Sequence, residues 1–160
     1  MLVDYFLKID GIEGESGDAK HKGEIELESF SFGGSQAGTA GYGGGGGAGK
    51  VQLQDFHFIK KVDKASAKLF LHCCNGQHIK MATLVARKAG KDQQEYLKIT
   101  LSDCMVSSFT AGGSQGSVVP SDQISLNFSK VEMEYKEQKA DGSLAGAVKS
   151  GWDVKSNKAV

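Results

Sequence analysis

Three groups of residues have types and spacings that could do chemistry. Residues 44–50, GGGGAGK, carry the G-x-x-x-x-G-K spacing of a phosphate loop inside a longer glycine-rich run, 33–49. Such a loop works when a strand enters the glycines and a helix leaves them, so that backbone N–H groups and the helix N-terminus face the phosphates and a Ser or Thr after the Lys holds magnesium. Here Lys50 is followed by Val51, and residues 51–59 alternate as a strand with β-branched and aromatic content and no helix cap. A glycine run between two strands makes no dipole-backed cradle. His72, Cys73, Cys74 and His78 form the second group. Zinc sites want two cysteines two to four residues apart, and adjacent helical cysteines point about 100° from one another, so these residues read as packing groups and no metal is expected. Glu24, Glu26 and Glu28 form the third group, and three carboxylates on one face of a strand read as a solvated face rather than an acid–base pair. No catalytic residue and no cofactor are expected.

The elements that would position these groups are mostly strands. Residues 3–9 alternate and end in Asp10-Gly11, a strand and its turn. Residues 13–22 are charged, punctuated by glycine and aperiodic, the pattern of an exposed loop. In 23–32, Ile25 and Leu27 oppose the three glutamates, and then Phe30 and Phe32 fall on the glutamate side. Either a bulge shifts the register, or the outer face is covered by a partner. The glycine run, 33–49, is costly to order and longer than a usual hairpin connection, so it reads as a functional loop. Residues 67–74 are helical, with Leu69, Phe70, Cys73 and Cys74 on one side, Asp63 or Ser66 as N-cap and Asn75-Gly76 as C-cap; the helix spans about 64–75. Residues 79–87 and 95–101 form a hairpin, the second arm running on toward Gly112-Gly113. In the last long strand the apolar residues change phase, from Ile124, Leu126 and Phe128 to Val131, Met133 and Tyr135. A bend at Ser129-Lys130 would let that strand serve two sheets. Residues 138–150 read as a connection, 151–154 as a closing edge strand with Trp152 inward, and 155–160 as a frayed end. The expected fold is mainly β: one domain over 1–160, a compact antiparallel β-barrel of two sheets with one short flanking helix.

Charge narrows the function. Lys and Arg number 19, Asp and Glu 19, and the formal net charge is zero, so no basic stripe is left for nucleic acid or an anionic membrane, while self-association is permitted. Three cysteines, two of them adjacent, build no disulfide framework and point to a reducing site of synthesis. The first residues have no basic region or long apolar run, unlike a signal peptide, and nowhere do about 18 consecutive apolar residues suggest a membrane span.

Taken together the motifs resemble the haemolysin-coregulated protein (Hcp) family, the inner-tube subunits of bacterial type VI secretion systems. The likeness covers almost the whole chain. It runs through Lys8-Ile9-Asp10-Gly11 with Gly14-Glu15-Ser16, GGGAGKV at 45–51, Gln54-Asp55, Asp63-Lys64 and Arg87-Lys88-Ala89-Gly90. It continues in Glu95-Tyr96-Leu97, Ile99-Thr100-Leu101, Val106-Ser107-Ser108, Leu126-Asn127-Phe128, Gln138-Lys139-Ala140-Asp141-Gly142 and Gly151-Trp152. The resemblance implies a hexameric ring, rings stacked into a tube inside a contractile sheath and expelled with the spike, small effector proteins in the lumen, and secretion without a signal peptide from the cytoplasm. It further implies that Gly33, Gly34, Gly38, Tyr42, Gly44, Gly47, Gly49 and Lys50 belong to a loop that packs on another subunit or ring. Phe30 and Phe32 would lie at a subunit boundary, and Ser31 would line the lumen and touch cargo. Two other classes stand beside this one: a nucleotide-dependent enzyme using Gly44 to Lys50, and a monomeric β-sandwich ligand-binding module.

Overall fold

The computed structural model describes residues 2–38, 50–88 and 92–160. Its strands are β1 (Val3–Ile9), β2 (Ile25–Leu27), β3 (Ser29–Ser31), β4 (Gly34–Ser35), β5 (Gln52–Leu53), β6 (Phe56–Lys61), β7 (His78–Lys88), β8 (Glu95–Gly112), β9 (Ser121–Gln138), β10 (Leu144–Asp153) and β11 (Lys158–Ala159), with one helix, α1 (Ser66–Asn75), between β6 and β7. The class is mainly β with a single short helix, and every strand pair is antiparallel.

The main sheet runs β11-β10-β9-β8-β7-β1-β2, with β6 joining β9 and β3 joining β6. The expected bend at Ser129-Lys130 is the fold's organising point. Before it, residues 121–126 of β9 pair with β6; after it, residues 130–138 pair with β10; β8 runs beside β9 along both halves. One strand therefore takes two successive partners along one edge, β6 and then β10, within one continuous sheet. Asp103 sits opposite the bend with φ 55, in the left-handed region, and is skipped by the ladder between Ser102↔Lys130 and Cys104↔Phe128. The register is the same on both sides, so Asp103 faces Ser129 and the two strands change phase together, β8 passing from Ile99 and Leu101 inward to Cys104 and Val106 inward. The ladder's register shift comes later, between Val106 and Ser108.

The core is apolar and drawn from strands across the sheet: Leu7, Ile25, Phe56, Phe58, Leu84, Ile99, Leu101, Ile124 and Leu126 are all at 2 % exposure or less. Helix α1 inserts only Leu69 fully; Cys73 is half-buried, while Phe70 and Cys74 are exposed. This corrects the expected four-residue apolar face, since a ten-residue helix packed on β8 buries only a narrow stripe. Its N-cap is Ala65, not Asp63 or Ser66. Asp63 instead accepts the Ala65 N–H at 2.9 Å, and Ser66 Oγ accepts the Asp63 N–H at 3.0 Å, so both cap the turn before the helix. Gly76 closes the helix at φ 67, its N–H donating to the His72 carbonyl, as the Asn75-Gly76 pair predicted.

Three other segments differ from expectation. Residues 13–22 are not a loose loop: Ser16 and His21 are buried, and Gly14, Ser16 and Gly23 donate backbone hydrogen bonds to Gly23, Glu24 and Ser16. Most of the connection at 138–150 belongs to β10. The C-terminal residues fold back as β11 on Trp152 and Asp153.

Candidate assembly and cargo surfaces

At residues 25–31 the apolar phase inverts because the chain changes partners. β2 pairs with β1, the chain bends at Glu28, and β3 pairs with β6, with Phe30 opposite Phe58. The inversion therefore needs no outside cover. Phe30 stacks on Phe56 at 5.8 Å and meets Tyr5 edge-on at 5.3 Å, and Phe32 lies 6.5 Å from Phe56. Both rings stay half-buried, so each still presents an edge outward.

The glycine run leaves the fold through a two-stranded ribbon. Gly34 pairs with Leu53 and Ser35 with Gln52, and Gln54 N–H donates to the Gly33 carbonyl at 2.8 Å. At Gly34 an added Cβ would stand 2.9 Å from Leu53 Cδ2, a terminal methyl that can turn aside, and 3.5 Å from the Gln52 carbonyl oxygen. Gly38 and Lys50 are exposed. The assignments to Tyr42, Gly44, Gly47 and Gly49 lie outside the described residues. Lys50 leads into β5, a strand and not a helix, which removes the geometric basis of a phosphate site.

Two surfaces flank this ribbon. Phe32, Val51, Leu53, Val131, Met133 and Trp152 line an apolar groove of about 660 Å³. Trp152 packs against the core, yet its indole N–H is buried with no acceptor among the described residues. On β3, Ser31 is exposed and pairs in register with His57. With Ser29, Ser108, Thr110 and Gln123 they surround a recess of about 260 Å³ whose apolar lining is Phe30, Phe58, Ile59 and Ile124. Among the described residues no carboxylate, ammonium or guanidinium lines it, although 24% of the chain is charged.

Buried ionic networks hold these surfaces in place, and the sequence offered no local signal for them. Lys60 and Asp122 are both fully buried. The Lys60 ammonium donates to Asp122 Oδ2 at 2.7 Å, Asp63 Oδ1 at 2.7 Å and Ser66 Oγ at 2.9 Å, tying β6 and β9 to the start of α1. Arg87 on β7 reaches Asp18 at 2.9 Å and Asp4 at 3.0 Å. The Arg87 hydrogen bond holds the Asp18 carboxyl well below its usual range, at about 2, and the same partner raises the guanidinium further above its already high value. Asp103, at the bend, accepts from Lys155, Ser129 and His78. The Lys155 hydrogen bond leads in lowering its carboxyl to about 2, and it fastens the C-terminal turn to β8. Cys104 is sealed in the core, and burial pushes its thiol up to about 12. Among the described residues no group of three His, Cys, Asp or Glu is arranged to hold a metal, and no helix is long and apolar enough to cross a membrane.

Residues 6–135 match the family described as "Type VI secretion system effector, Hcp". The chain is 46% identical over 159 residues to Protein hcp1 of Pseudomonas aeruginosa, covering 98% of each. Among solved structures it is similar to Hcp1 from Salmonella typhimurium, at TM-score 0.83 and 40% identity over 100% of both chains. It is also similar to a type six secretion system protein at TM-score 0.93 and 29% identity, over 99% of this chain and 100% of that one.

Proposed function

This chain belongs to the Hcp family of type VI secretion proteins, a structural, secreted and non-enzymatic family, and from that premise we propose that it is a tube subunit: six copies close into a ring, rings stack, and the lumen carries effector proteins. The observation that carries the reading is the apolar groove at the base of the glycine ribbon. An isolated chain has no use for an exposed apolar groove, whereas a neighbouring copy supplies apolar contact. In a head-to-tail ring that contact is heterologous and closes by rotation. Phe32 lies in this groove and Phe30 beside it, so both belong at or next to the boundary between copies. The loop that contains Gly33, Gly34, Gly38 and Lys50 reaches out to the adjacent subunit or ring.

Ser31 belongs to the cargo face. A neutral recess of hydroxyls with an imidazole and an amide holds a passenger by hydrogen bonds that exchange readily with water, and it imposes no charge requirement. In this reading the chain leaves the cell without a signal peptide, with spike and sheath proteins as its further partners.

Electron microscopy and light scattering of the purified chain test the assembly. Closed rings are expected, and a monomer at all concentrations would favour a ligand-binding module instead. Shortening the glycine loop is expected to leave a folded chain with impaired rings or stacks; unfolding would refute its assignment. Ser31→Trp is expected to lower effector co-purification while rings persist. Unchanged retention would take Ser31 off the cargo face.

A further inference from the structure

His21 is 6 % exposed and bonded through both ring nitrogens. Its Nδ1 lies 3.0 Å from both carboxylate oxygens of Glu24, and its Nε2 lies 2.6 Å from Glu95 Oε1 on β8. An ionised carboxylate only accepts, so each ring nitrogen must carry a hydrogen, and only the imidazolium has two. The ring stacks on Phe6 at 4.4 Å and 9°, and the Arg87 guanidinium also lies over Phe6, at 4.8 Å. The charged groups around the site come from every neighbouring element: Asp18 and Glu24 from the segment itself, Asp4 from β1, Arg87 from β7 and Glu95 from β8. Four carboxylates thus share one guanidinium, and that guanidinium is engaged by Asp4 and Asp18. A second cation at His21 reduces the excess of carboxylates in the cluster from three to two.

We propose that the segment 10–24 is a protonation-operated latch: imidazolium His21 clasps it to β8 through Glu95, and loss of the ring proton opens the clasp. Removing one proton leaves a nitrogen lone pair facing a carboxylate lone pair. The side that faces Glu95 is the weaker one, because Glu24 can still accept from Nδ1–H within the segment while Glu95 is half-exposed and free to turn into water. The segment has a second attachment. The Glu15 carboxylate accepts the Lys64 N–H at 2.6 Å, just before α1. Opening at His21 therefore leaves the segment hinged at the helix and tethered by Arg87–Asp18, not detached.

The test uses the full chain and two nuclear magnetic resonance readouts across the titration of His21. Nitrogen-15 shifts of the ring report whether both nitrogens carry hydrogen, and amide exchange, expressed as protection factors, reports the segment through Gly14, Ser16 and Gly23. Both nitrogens are expected to be protonated while those amides are protected. As the ring loses its proton, protection at the three amides is expected to fall about tenfold to a hundredfold, tracking the imidazole curve, with Leu84 and Ile99 as unmoved references. In Glu95→Gln the amide side chain can donate to the neutral ring, so the step is expected to shrink severalfold. A neutral His21 tautomer in the closed segment, protection indifferent to the titration, or an equal step in Glu95→Gln would each overturn the latch.

Discussion

Replacing Lys60 by Met removes the ammonium at the centre of the most deeply buried ionic network while nearly keeping the volume of its stem. Lys60 and Asp122 are both at 0 % side-chain exposure, and Asp122 Oδ1 already lacks a partner. The substitution leaves Asp122 with one side-chain hydrogen bond, from Ser66 Oγ at 2.5 Å, inside a shell otherwise made of β6 and β9. Stranding one partner of a buried pair costs about 3–5 kcal/mol, most of it the cost of the uncompensated charge. Against a total stability on the order of 5–15 kcal/mol this is a large share. With a urea dependence of about 2 kcal/mol per molar, the midpoint should drop by roughly 2 M. Unfolding is measured at one protein concentration, because association adds its own concentration-dependent stability. The diagnostic variant is Lys60→Met with Asp122→Leu, which removes both charges. If the loss in the single variant comes from the stranded carboxylate, the double variant recovers most of it, since replacing a whole buried pair by apolar groups is often neutral or better. A double variant as unstable as the single one, or a single variant within about 1 kcal/mol of the parent, would refute this account of the network.

Gly14→Ala should destabilise by about 1–3 kcal/mol, because its Cβ would meet the Glu24 carbonyl oxygen at 2.5 Å and the Ile25 Cα at 2.8 Å, and backbone cannot step aside as a side chain can; thermal melts at fixed concentration check it. Alkylation and mass spectrometry at pH 8 should label Cys74 first, Cys73 more slowly and Cys104 only on unfolding, since a thiol pushed up to about 12 has roughly one part in ten thousand as thiolate; early labelling of Cys104 would contradict its burial. Asp18 and Asp103 are both lowered from 3.8 to about 2 in the folded chain. Their contribution to stability is complete above the unfolded value and is lost as pH falls from about 4 through about 2. Asp18→Asn should flatten the fall in urea midpoint across that window, and parallel curves for variant and parent would count against the Arg87 pairing.

Much of the sheet was legible because its signals are local. β1 has the bounds its alternation predicted, the β7–β8 hairpin pairs as expected, and the phase change in β9 marks the bend where its second partner switches from β6 to β10. The same kind of signal misled at Phe30, where an inverted phase meant a change of strand partner within the chain. Val131 keeps the new phase inward, but Met133 and Tyr135 are more than a third exposed, because β9 there runs beyond the core. What stayed hidden depends on pairing across long separations. The segment 13–22 looks like a solvent loop since it is rich in charge, yet its His21 and Asp18 find Glu95 and Arg87 more than sixty residues away. β10 was obscured by its own composition: glycine, lysine and small residues read as a connection, and only the ladder to β9 makes them a strand. For the candidate surfaces, the residue types around Ser31 were visible, but the recess needs β3, β6, β8 and β9 side by side, and no one stretch contains them.

The double service of β9 also sets a timetable for folding. β7, β8, β9 and β10 form a meander whose neighbours in space are neighbours in sequence, so loop closure there is inexpensive. β1 waits for β7, and β6 waits for β9. During synthesis the N-terminal strands leave the ribosome well before β7 and β9 exist, and this part of the chain has only its β1–β2, β3–β6 and β4–β5 pairings until the meander is made. Pulse-labelled exchange should therefore protect β8 and β9 before β1 and β6, with the second half of the chain templating the first.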